Sequence, residues 1–302
     1  MLAIIAPGQG SQTPGMFNSW VANPVFHELL SKWSMRIDLD LIGLGTKADA
    51  DEIKDTANAQ PLIVAASLLG AHALGIKNFA YTSGHSVGEL AAAAISGAIG
   101  DEDALRLVRA RGIEMAKAAA LSPAGMSAVL GGEREVVLKK LEELKLVAAN
   151  DNGGGQIVAA GDLAALAALS ENPPEGARVR ALAVAGAFHT SFMAPAVEPL
   201  RTLATTVQTA PTTISVISNK DGEVVSDGGE VLTRIVNQIA NPVRWDLCMQ
   251  TLKNLGVTGV IELPPAGTLV GLLKRGAPEI ETFALKSADD LSAAKEFAGR
   301  HA

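Results

Sequence analysis

The sequence predicts an α/β protein in which a parallel sheet carries helices on both faces and a smaller ferredoxin-like unit is inserted into the chain. Short apolar runs alternate with helical patterns through the first half, which is typical of a parallel sheet. The middle of the chain instead follows the order β-α-β-β-α-β of a ferredoxin-like unit. After Ser191 the strand–helix alternation returns, so both ends of the chain are expected to build the large sheet.

Two strands and four helices are predicted in the first half of the chain. Leu2–Ala6 is a fully apolar run that ends at Pro7-Gly8, as a buried parallel strand does. A second short strand is predicted at 78–83. Helical patterns cover 20–33, 61–74, 87–96 and 101–120. Asp101 is expected to cap the last of these helices, because Asp is favoured at that position.

The inserted unit is expected at residues 124–186, and the large domain at 1–123 and 187–302. Predicted strands of the insert lie at 126–130, 146–149, 156–160 and 178–184. Predicted helices of the insert lie at 133–144 and 162–170. Further strands of the large sheet are expected at 214–218, 259–263 and 280–285.

The composition argues against several classes of function. The chain has 302 residues, a formal net charge of −7 and only 4% aromatic residues, which argues against a nucleic-acid-binding protein. Its only cysteine, Cys248, can form neither an intrachain disulfide nor a Cys/His metal site, so no metal is expected. No apolar stretch reaches the ~18 residues of a membrane span, and no signal peptide is evident. We therefore expect a cytoplasmic protein without a membrane partner.

Gly84-His85-Ser86-Val87-Gly88 is a G-x-S-x-G motif between a predicted strand and a predicted helix. In this context a sharp turn exposes the serine hydroxyl at the end of the sheet, and the adjacent helix N-terminus favours a developing oxyanion. Ser86 is therefore a candidate nucleophile, and Glu89 extends the motif. The alternative is an ordinary turn in which Ser86 caps the helix.

A serine nucleophile needs a base, and the five histidines can be compared. His27 and His72 lie in amphipathic helices, His301 lies in the C-terminal tail, and the side chain of His85 should diverge from its neighbour Ser86. His189 follows a predicted strand, where α/β proteins build their sites, and is the candidate base. No spacing favours Glu198 or Asp221 as its orienting acid, so a backbone carbonyl remains possible.

Arg111 falls within the apolar stripe of its helix, at i+3 from Val108 and i−4 from Met115. A guanidinium that faces the core needs an anionic partner, because an unpaired buried charge is costly. The partner is either a carboxylate on a substrate, held by two hydrogen bonds, or a structural salt bridge. Gln9 lies in a Gly-rich turn after the first strand that matches neither nucleotide-binding pattern but can offer a backbone N–H to an oxyanion.

Five motifs together carry a family resemblance. In chain order they begin at Pro7, Gly84, Arg111, Gly186 and Asn241, and they read PGQGSQ, GHSVGE, RGIEM, GAFH and NPVRW. With this set the chain resembles the malonyl-CoA:acyl-carrier-protein transacylases of bacterial fatty-acid synthesis over nearly its whole length. The resemblance implies a hydrolase-like parallel α/β domain with an inserted ferredoxin-like subdomain, and a cleft between the two.

The resemblance also implies roles for individual residues. Ser86 would take the malonyl group from malonyl-CoA, which is a substrate, so no cofactor is implied. His189 would act as base, oriented by the backbone carbonyl of Gln238, and Arg111 would pair with the malonyl carboxylate. Residues implied to bind the substrate are Gln9 and Val87, through oxyanion-binding N–H groups, Asn150 or its neighbour Asn152 at the site, and Phe188, which favours malonyl.

Acyl carrier protein and a coenzyme A thioester are the implied partners. Such carriers are acidic, and the candidate basic residues for docking are Lys117, Arg178, Arg180, Lys274 and Arg275. Two other classes stay open at the level of sequence. A serine hydrolase would share Ser86 and His189 but has no use for Arg111, and a non-catalytic binding module would not need both Ser86 and His189.

Overall fold

The computed structural model describes residues 1–302 and contains two β-sheets with helices packed around them. The protein is therefore mixed α/β, as the sequence predicts. The strands are β1 (Leu2–Ala6), β2 (Tyr81–Gly84), β3 (Ala124–Gly131), β4 (Val147–Asp151), β5 (Gln156–Asp162), β6 (Ala177–Ala181), β7 (Ser215–Ile217), β8 (Val224–Val225), β9 (Val243–Arg244), β10 (Gly259–Glu262) and β11 (Glu281–Ala284).

Helices cover much of the rest of the chain, and four of the predicted ones lie within one residue of their expected bounds. The α-helices are α1 (Asn18–Val21), α2 (Pro24–Ile37), α3 (Leu41–Thr46), α4 (Thr56–Leu74), α5 (Gly88–Ile95), α6 (Asp101–Ala119), α7 (Arg134–Glu143), α8 (Leu163–Glu171), α9 (Ala194–Ala204), α10 (Gly228–Gln238), α11 (Trp245–Asn254), α12 (Thr268–Gly276) and α13 (Leu291–His301). These four helices are α5, α6, α7 and α8.

The large sheet has six strands in the order β11-β10-β1-β2-β7-β8. All pairs are parallel except β7 with β8. Every residue of β1 is buried, because helices cover both faces of the central strands and a continuous apolar run suits that position. The carboxyl ends of β1 and β2 lie side by side, with Ala6 paired to Gly84, and they bring the loops that follow them together.

The small sheet has five strands in the order β6-β3-β5-β4-β9. Its first four strands are antiparallel and come from the β-α-β-β-α-β segment, with the element order that the sequence predicts. The fifth strand, β9, comes from residue 243 onwards and pairs in parallel with Asn150 and Asp151 of β4. A segment distant in sequence thus ties the small sheet to the rest of the protein.

Three local predictions are wrong. Asp101 does not cap α6: Gly100 holds the N-cap position, and the Asp101 carboxylate instead lies 2.6 Å from Nε2 of His72. The helix predicted from residue 61 begins at Thr56, because the Asp55 side chain accepts from the Ala57 N–H at 2.7 Å and caps it there. The helix predicted at 20–33 is two helices, α1 and α2, because Asn23 caps a new helix that has Pro24 at its first position. His301 lies near the C-terminus as expected, and it is buried at the end of α13.

Helix α4 is long and apolar enough to cross a membrane by length and composition alone, although no membrane span was predicted from the sequence. Within the protein, 72% of the most apolar stretch of this helix is buried. It packs against α5 and α6, and a core helix of this kind needs no polar face. Packing of α4 in the protein core therefore explains its apolar composition.

Candidate active site

The G-x-S-x-G turn joins β2 to α5 and places Ser86 in a left-handed backbone conformation, with φ of 53°. A Cβ at Gly88 would collide with the Ala6 carbonyl oxygen, and one at Gly84 would collide with the backbone of Gly88. The two glycines are therefore required for the turn to pack against the end of β1. A non-glycine residue held at positive φ stores strain, which is common where a side chain must be presented for chemistry.

His189 faces this serine. Its Nε2 lies 2.7 Å from the Ser86 Oγ, although 103 residues separate the two in sequence. The ring is buried and its residue also has a positive φ, 61°. The loop after β6 thus places the predicted base, His189, beside the serine.

The other ring nitrogen of His189 is held by the backbone. Its Nδ1 lies 2.8 Å from the carbonyl oxygen of Gln238, an acceptor, so Nδ1 carries the hydrogen and donates it. Nε2 is then free to accept the Ser86 hydroxyl proton. Burial, with the Arg111 charge second, lowers the pKa of His189 to about 3, so the imidazole is a neutral base at neutral pH.

Arg111 lies on the same side of the site and is buried. Its guanidinium donates to Oε1 of Gln60 at 2.7 Å and to Oε1 of Gln238 at 3.0 Å, and Nη2 is 3.4 Å from the Ser86 Oγ. Burial lowers the pKa of Arg111 to about 10, which leaves it charged at neutral pH. No carboxylate is among its hydrogen-bond partners, although the charge of nearby Glu89 opposes the lowering of its pKa, and its Nε has no partner. A structural salt bridge, one of the two alternatives, is therefore absent.

Two backbone N–H groups implied as oxyanion donors are unused within the protein. Val87 stands at the N-cap of α5, and neither its N–H nor that of Gln9 donates to a protein acceptor. The Gln9 side chain donates to Thr56 Oγ1 at 3.3 Å and accepts from Gln60. The loop after β1 is thus anchored to α4 beside the serine.

A cavity of about 190 Å³ opens over Ser86 between the two sheets. Its lining includes Asn150, Asn152 and Phe188, the positions that the family resemblance implies for substrate binding. The Asn152 Oδ1 accepts from Nε2 of His85 at 2.8 Å, a contact that joins the serine turn to the small sheet. A larger cavity of about 600 Å³ lies near His72 at the amino ends of the strands, away from Ser86 and His189.

Three buried residues at the site, Gln60, Glu89 and Asn219, were given no role from the sequence, although Glu89 extends the serine motif. Asn219 braces the serine turn, since its Oδ1 accepts from the Ser86 N–H at 2.8 Å and its Nδ2 donates to the Gly84 carbonyl at 2.7 Å. Gln60 holds Arg111, and Glu89 accepts from the Asn219 N–H at 2.7 Å. Only Glu89 had a local signal, as an acid directly after the motif on an otherwise apolar helix.

The chain matches the model of the acyl transferase domain over residues 4–295. A malonyl CoA-acyl carrier protein transacylase of Mycobacterium tuberculosis is 51% identical over 296 residues, which are 96% of this chain and 98% of that protein. This chain belongs to the malonyl-CoA:acyl-carrier-protein transacylase family. The sequence resemblance is thereby confirmed.

Solved transacylase structures share the fold. A crystal structure described as MCAT from Mycobacterium tuberculosis superposes with a TM-score of 0.95 at 50% identity, covering 98% of this chain and 99% of that one. A second, titled as a malonyl-transacylase in complex with its type II PKS acyl-carrier protein, has a TM-score of 0.90 at 28% identity and covers 98% of this chain and 99% of that one. As a member of the transacylase family, the protein is an acyltransferase.

Proposed function

We propose that this protein transfers a malonyl group from malonyl-CoA to the thiol of acyl carrier protein through a malonyl ester on Ser86. One observation carries the proposal. The Ser86 Oγ lies 2.7 Å from a neutral histidine and 3.4 Å from a buried guanidinium without a carboxylate partner. A base activates the hydroxyl, and the cation beside it suits an acyl group that bears its own carboxylate.

In the first half-reaction, His189 Nε2 takes the Ser86 proton while Oγ attacks the thioester carbonyl. The N–H groups of Gln9 and Val87 would stabilise the oxyanion. The C–S bond then breaks, the acyl group stays on Oγ, and the departing thiolate of coenzyme A receives the proton from His189. The Gln238 carbonyl holds the imidazole in the required tautomer throughout.

In the second half-reaction, the carrier's thiol gives its proton to His189 and attacks the ester carbonyl. The C–O bond to Ser86 breaks, and the proton returns to Oγ. Phe188 and Asn150 line the cavity over the serine and would bound the acyl group. No step needs a cofactor or a metal: one thioester and one thiol react, and a new thioester and the thiol of coenzyme A are formed.

The cavity opening has basic residues on both sides. Arg178 and Arg180 lie exposed on β6, and Arg180 pairs in register with Ala128, which lines the cavity. Lys274 and Arg275 lie exposed near the end of α12, whose Leu272 lines the opposite wall. These four residues are the proposed docking surface for an acidic carrier. Lys117 is paired with Glu114 at 2.7 Å and contributes less.

We also propose the domain division that the sequence suggested, with a hydrolase-like domain at 1–123 and 187–302 and a ferredoxin-like subdomain at 124–186. The strand order β6-β3-β5-β4 and the two intervening helices support the second description. The serine turn at the end of a parallel strand supports the first. We further propose that the protein acts in fatty-acid synthesis and in the cytoplasm.

Intact-protein mass spectrometry after brief mixing with malonyl-CoA tests the function. We expect a covalent malonyl adduct on the wild-type protein and none on Ser86→Ala. Adding holo-acyl carrier protein should discharge the adduct far faster than buffer does. A serine hydrolase would instead release malonate to water at a rate that the carrier does not change, and that result would refute the transferase assignment.

A further inference from the structure

Glu89 is a buried carboxylate at the centre of the site that the transfer steps above do not use. It lies on α5, three residues after the nucleophile, and it touches neither Ser86 Oγ nor His189. Its two oxygens are both occupied by N–H donors. Oε1 accepts from the Asn219 N–H at 2.7 Å, and Oε2 accepts from Nε2 of Gln238 at 2.6 Å.

The second of these contacts is the shortest of three that fix which way the Gln238 amide points, and the only one with an ionised acceptor. Nε2 of Gln238 also donates to the Ser86 carbonyl oxygen at 3.1 Å and to Asn219 Oδ1 at 3.2 Å. Gln238 lies between Glu89 and Arg111, and its Oε1 accepts from Arg111 Nη2 at 3.0 Å. An ionised carboxylate only accepts hydrogen bonds and a guanidinium only donates them. One orientation of the amide satisfies both neighbours, with Nε2 toward Glu89 and Oε1 toward Arg111. The reverse orientation would leave two acceptors facing each other on one side and two donors on the other.

Arg111 depends on this orientation, because its hydrogen-bond acceptors in the free protein are two neutral amide oxygens and the Ser86 hydroxyl, and the Glu89 charge acts on it without direct contact. Gln60 provides one oxygen and Gln238 the other. If the Gln238 amide turned, its NH₂ group would face Nη2 and push the guanidinium from the Ser86 hydroxyl. The Gln238 backbone carbonyl would still orient His189, so the base would remain in place.

We propose that Glu89 is a positioning residue that fixes the Gln238 amide in the orientation Arg111 needs, and that it thereby sets the preference for carboxylate-bearing acyl groups. The inference rests on the proposed malonyl transfer and adds a residue that touches neither substrate nor reacting atoms. It makes acyl selectivity largely separable from acyl transfer, since Glu89 contacts neither Ser86 Oγ nor His189 and reaches the serine turn only through Asn219 and Gln238.

Protonation of Glu89 should disturb the same arrangement. A protonated carboxyl carries a proton that needs an acceptor, yet both oxygens of Glu89 face N–H donors. A proton on Oε2 would oppose Nε2 of Gln238 and favour turning of the amide, against the contacts of Nε2 with the Ser86 carbonyl and Asn219 Oδ1. Burial raises the pKa of Glu89 to about 7. The cations that act on it are Arg111 of α6 and Arg234 of α10, the buried thiol nearby is Cys248 of α11, and His189 is neutral in this range.

Glu89→Gln is the direct test, because it is isosteric with the protonated acid. Glutamine supplies one acceptor oxygen for two donors. The Asn219 N–H is fixed in the backbone, so the rotatable Gln238 side chain is expected to adjust. We expect the malonyl-to-acetyl ratio of kcat/KM to fall at least ~10-fold, the loss typical of one hydrogen bond to a charged group. Acetyl transfer should change much less.

Glu262→Gln is the matched control. Glu262 is also a buried glutamate, but it accepts from the N–H groups of Gly267, Leu269 and Val270 at the start of α12. Its replacement should lower the unfolding temperature while leaving the malonyl-to-acetyl ratio at the wild-type value. A similar drop of the ratio in both variants would show a general effect of losing a buried carboxylate and would overturn the inference.

A second measurement needs no variant. The wild-type ratio should fall as the pH is lowered from about 8.5 to about 5.5, through the Glu89 pKa, while the malonyl carboxylate stays ionised. The ratio of Glu89→Gln should stay flat over the same range. The inference is overturned, and the proposed function is not, if the wild-type malonyl-to-acetyl ratio does not change with pH. The same holds if folded Glu89→Gln keeps the wild-type ratio. Absence of malonyl transfer by the wild-type protein would overturn the proposed function as well.

Discussion

Replacing Arg111 with alanine tests whether the guanidinium reads the acyl group. In the free protein its only partners at the site are two amide oxygens and the Ser86 hydroxyl, so a substrate carboxylate would be its first ionised partner. Losing a buried charge pair costs about 2–5 kcal/mol. At about 1.4 kcal/mol per tenfold, malonyl transfer should slow by roughly 30- to 3,000-fold.

Acetyl transfer separates substrate recognition from fold stability. Acetyl-CoA has no carboxylate, so its slow transfer should be unchanged or faster in Arg111→Ala, where a buried cation no longer faces the methyl group. The alanine variant leaves Oε1 of Gln60 and of Gln238 without their donor, at about 1–3 kcal/mol each in stability. Rates must therefore be measured on protein shown to be folded by circular dichroism.

Arg111→Lys provides the graded variant. It keeps the charge but lacks the planar fork, and should retain part of the malonyl activity. Equal losses of malonyl and acetyl transfer in folded Arg111→Ala would refute the reasoning, because they would show that the residue supports the site without reading the acyl group.

Further predictions concern the catalytic pair, the carrier surface and pH. Ser86→Ala should show no acyl-enzyme by mass spectrometry, and a malonyl group still bound covalently to that variant would exclude Ser86 as the nucleophile. His189→Ala should slow acylation by ~10²–10⁴-fold in stopped-flow assays, the usual contribution of a positioned base, and an unchanged rate would remove it from the mechanism. Arg180→Ala and Arg275→Ala should raise the KM for acyl carrier protein and weaken its dependence on salt, while the KM for malonyl-CoA changes less. A wild-type KM for the carrier that is flat from low to high salt would contradict the docking surface. Because the folded-state pKa of His189 is lowered to about 3 from 6.5, the unfolded chain binds a proton that the folded protein does not between these values, so stability should fall as the pH drops below 6.5. The unfolding temperature of His189→Ala should fall less over that range, and an equal fall would show that another group is responsible.

Most of the secondary structure could be predicted because its signals are local. The apolar run of β1, the β-α-β-β-α-β order of the insert and the glycines around Ser86 each act within a few residues. The errors lie at element ends, where a cap or an ion pair decides. Asp101 has the chemistry of a cap, yet it pairs with a histidine from another helix, and that partner cannot be read from its neighbours.

The candidate site divides in the same way. Ser86, His189 and Arg111 were singled out by motif, elimination and helix periodicity, and the structure brings them within hydrogen-bonding distance. Their catalytic roles stay predictions until the variants are tested. The assignment of Gln238 came from family resemblance, because a backbone carbonyl leaves no trace in residue type.

The strand–helix order, the nucleophile turn and the family could be predicted from the sequence, because they follow from residue types at short spacing. The tertiary structure decided the charge arrangement around Ser86. Asn219 lies 133 residues from the serine it braces, and Gln238 lies 149 residues from Glu89. Such pairs form only when separate strands and helices pack, and burial then sets the pKa of Glu89 and of His189, which no local pattern encodes.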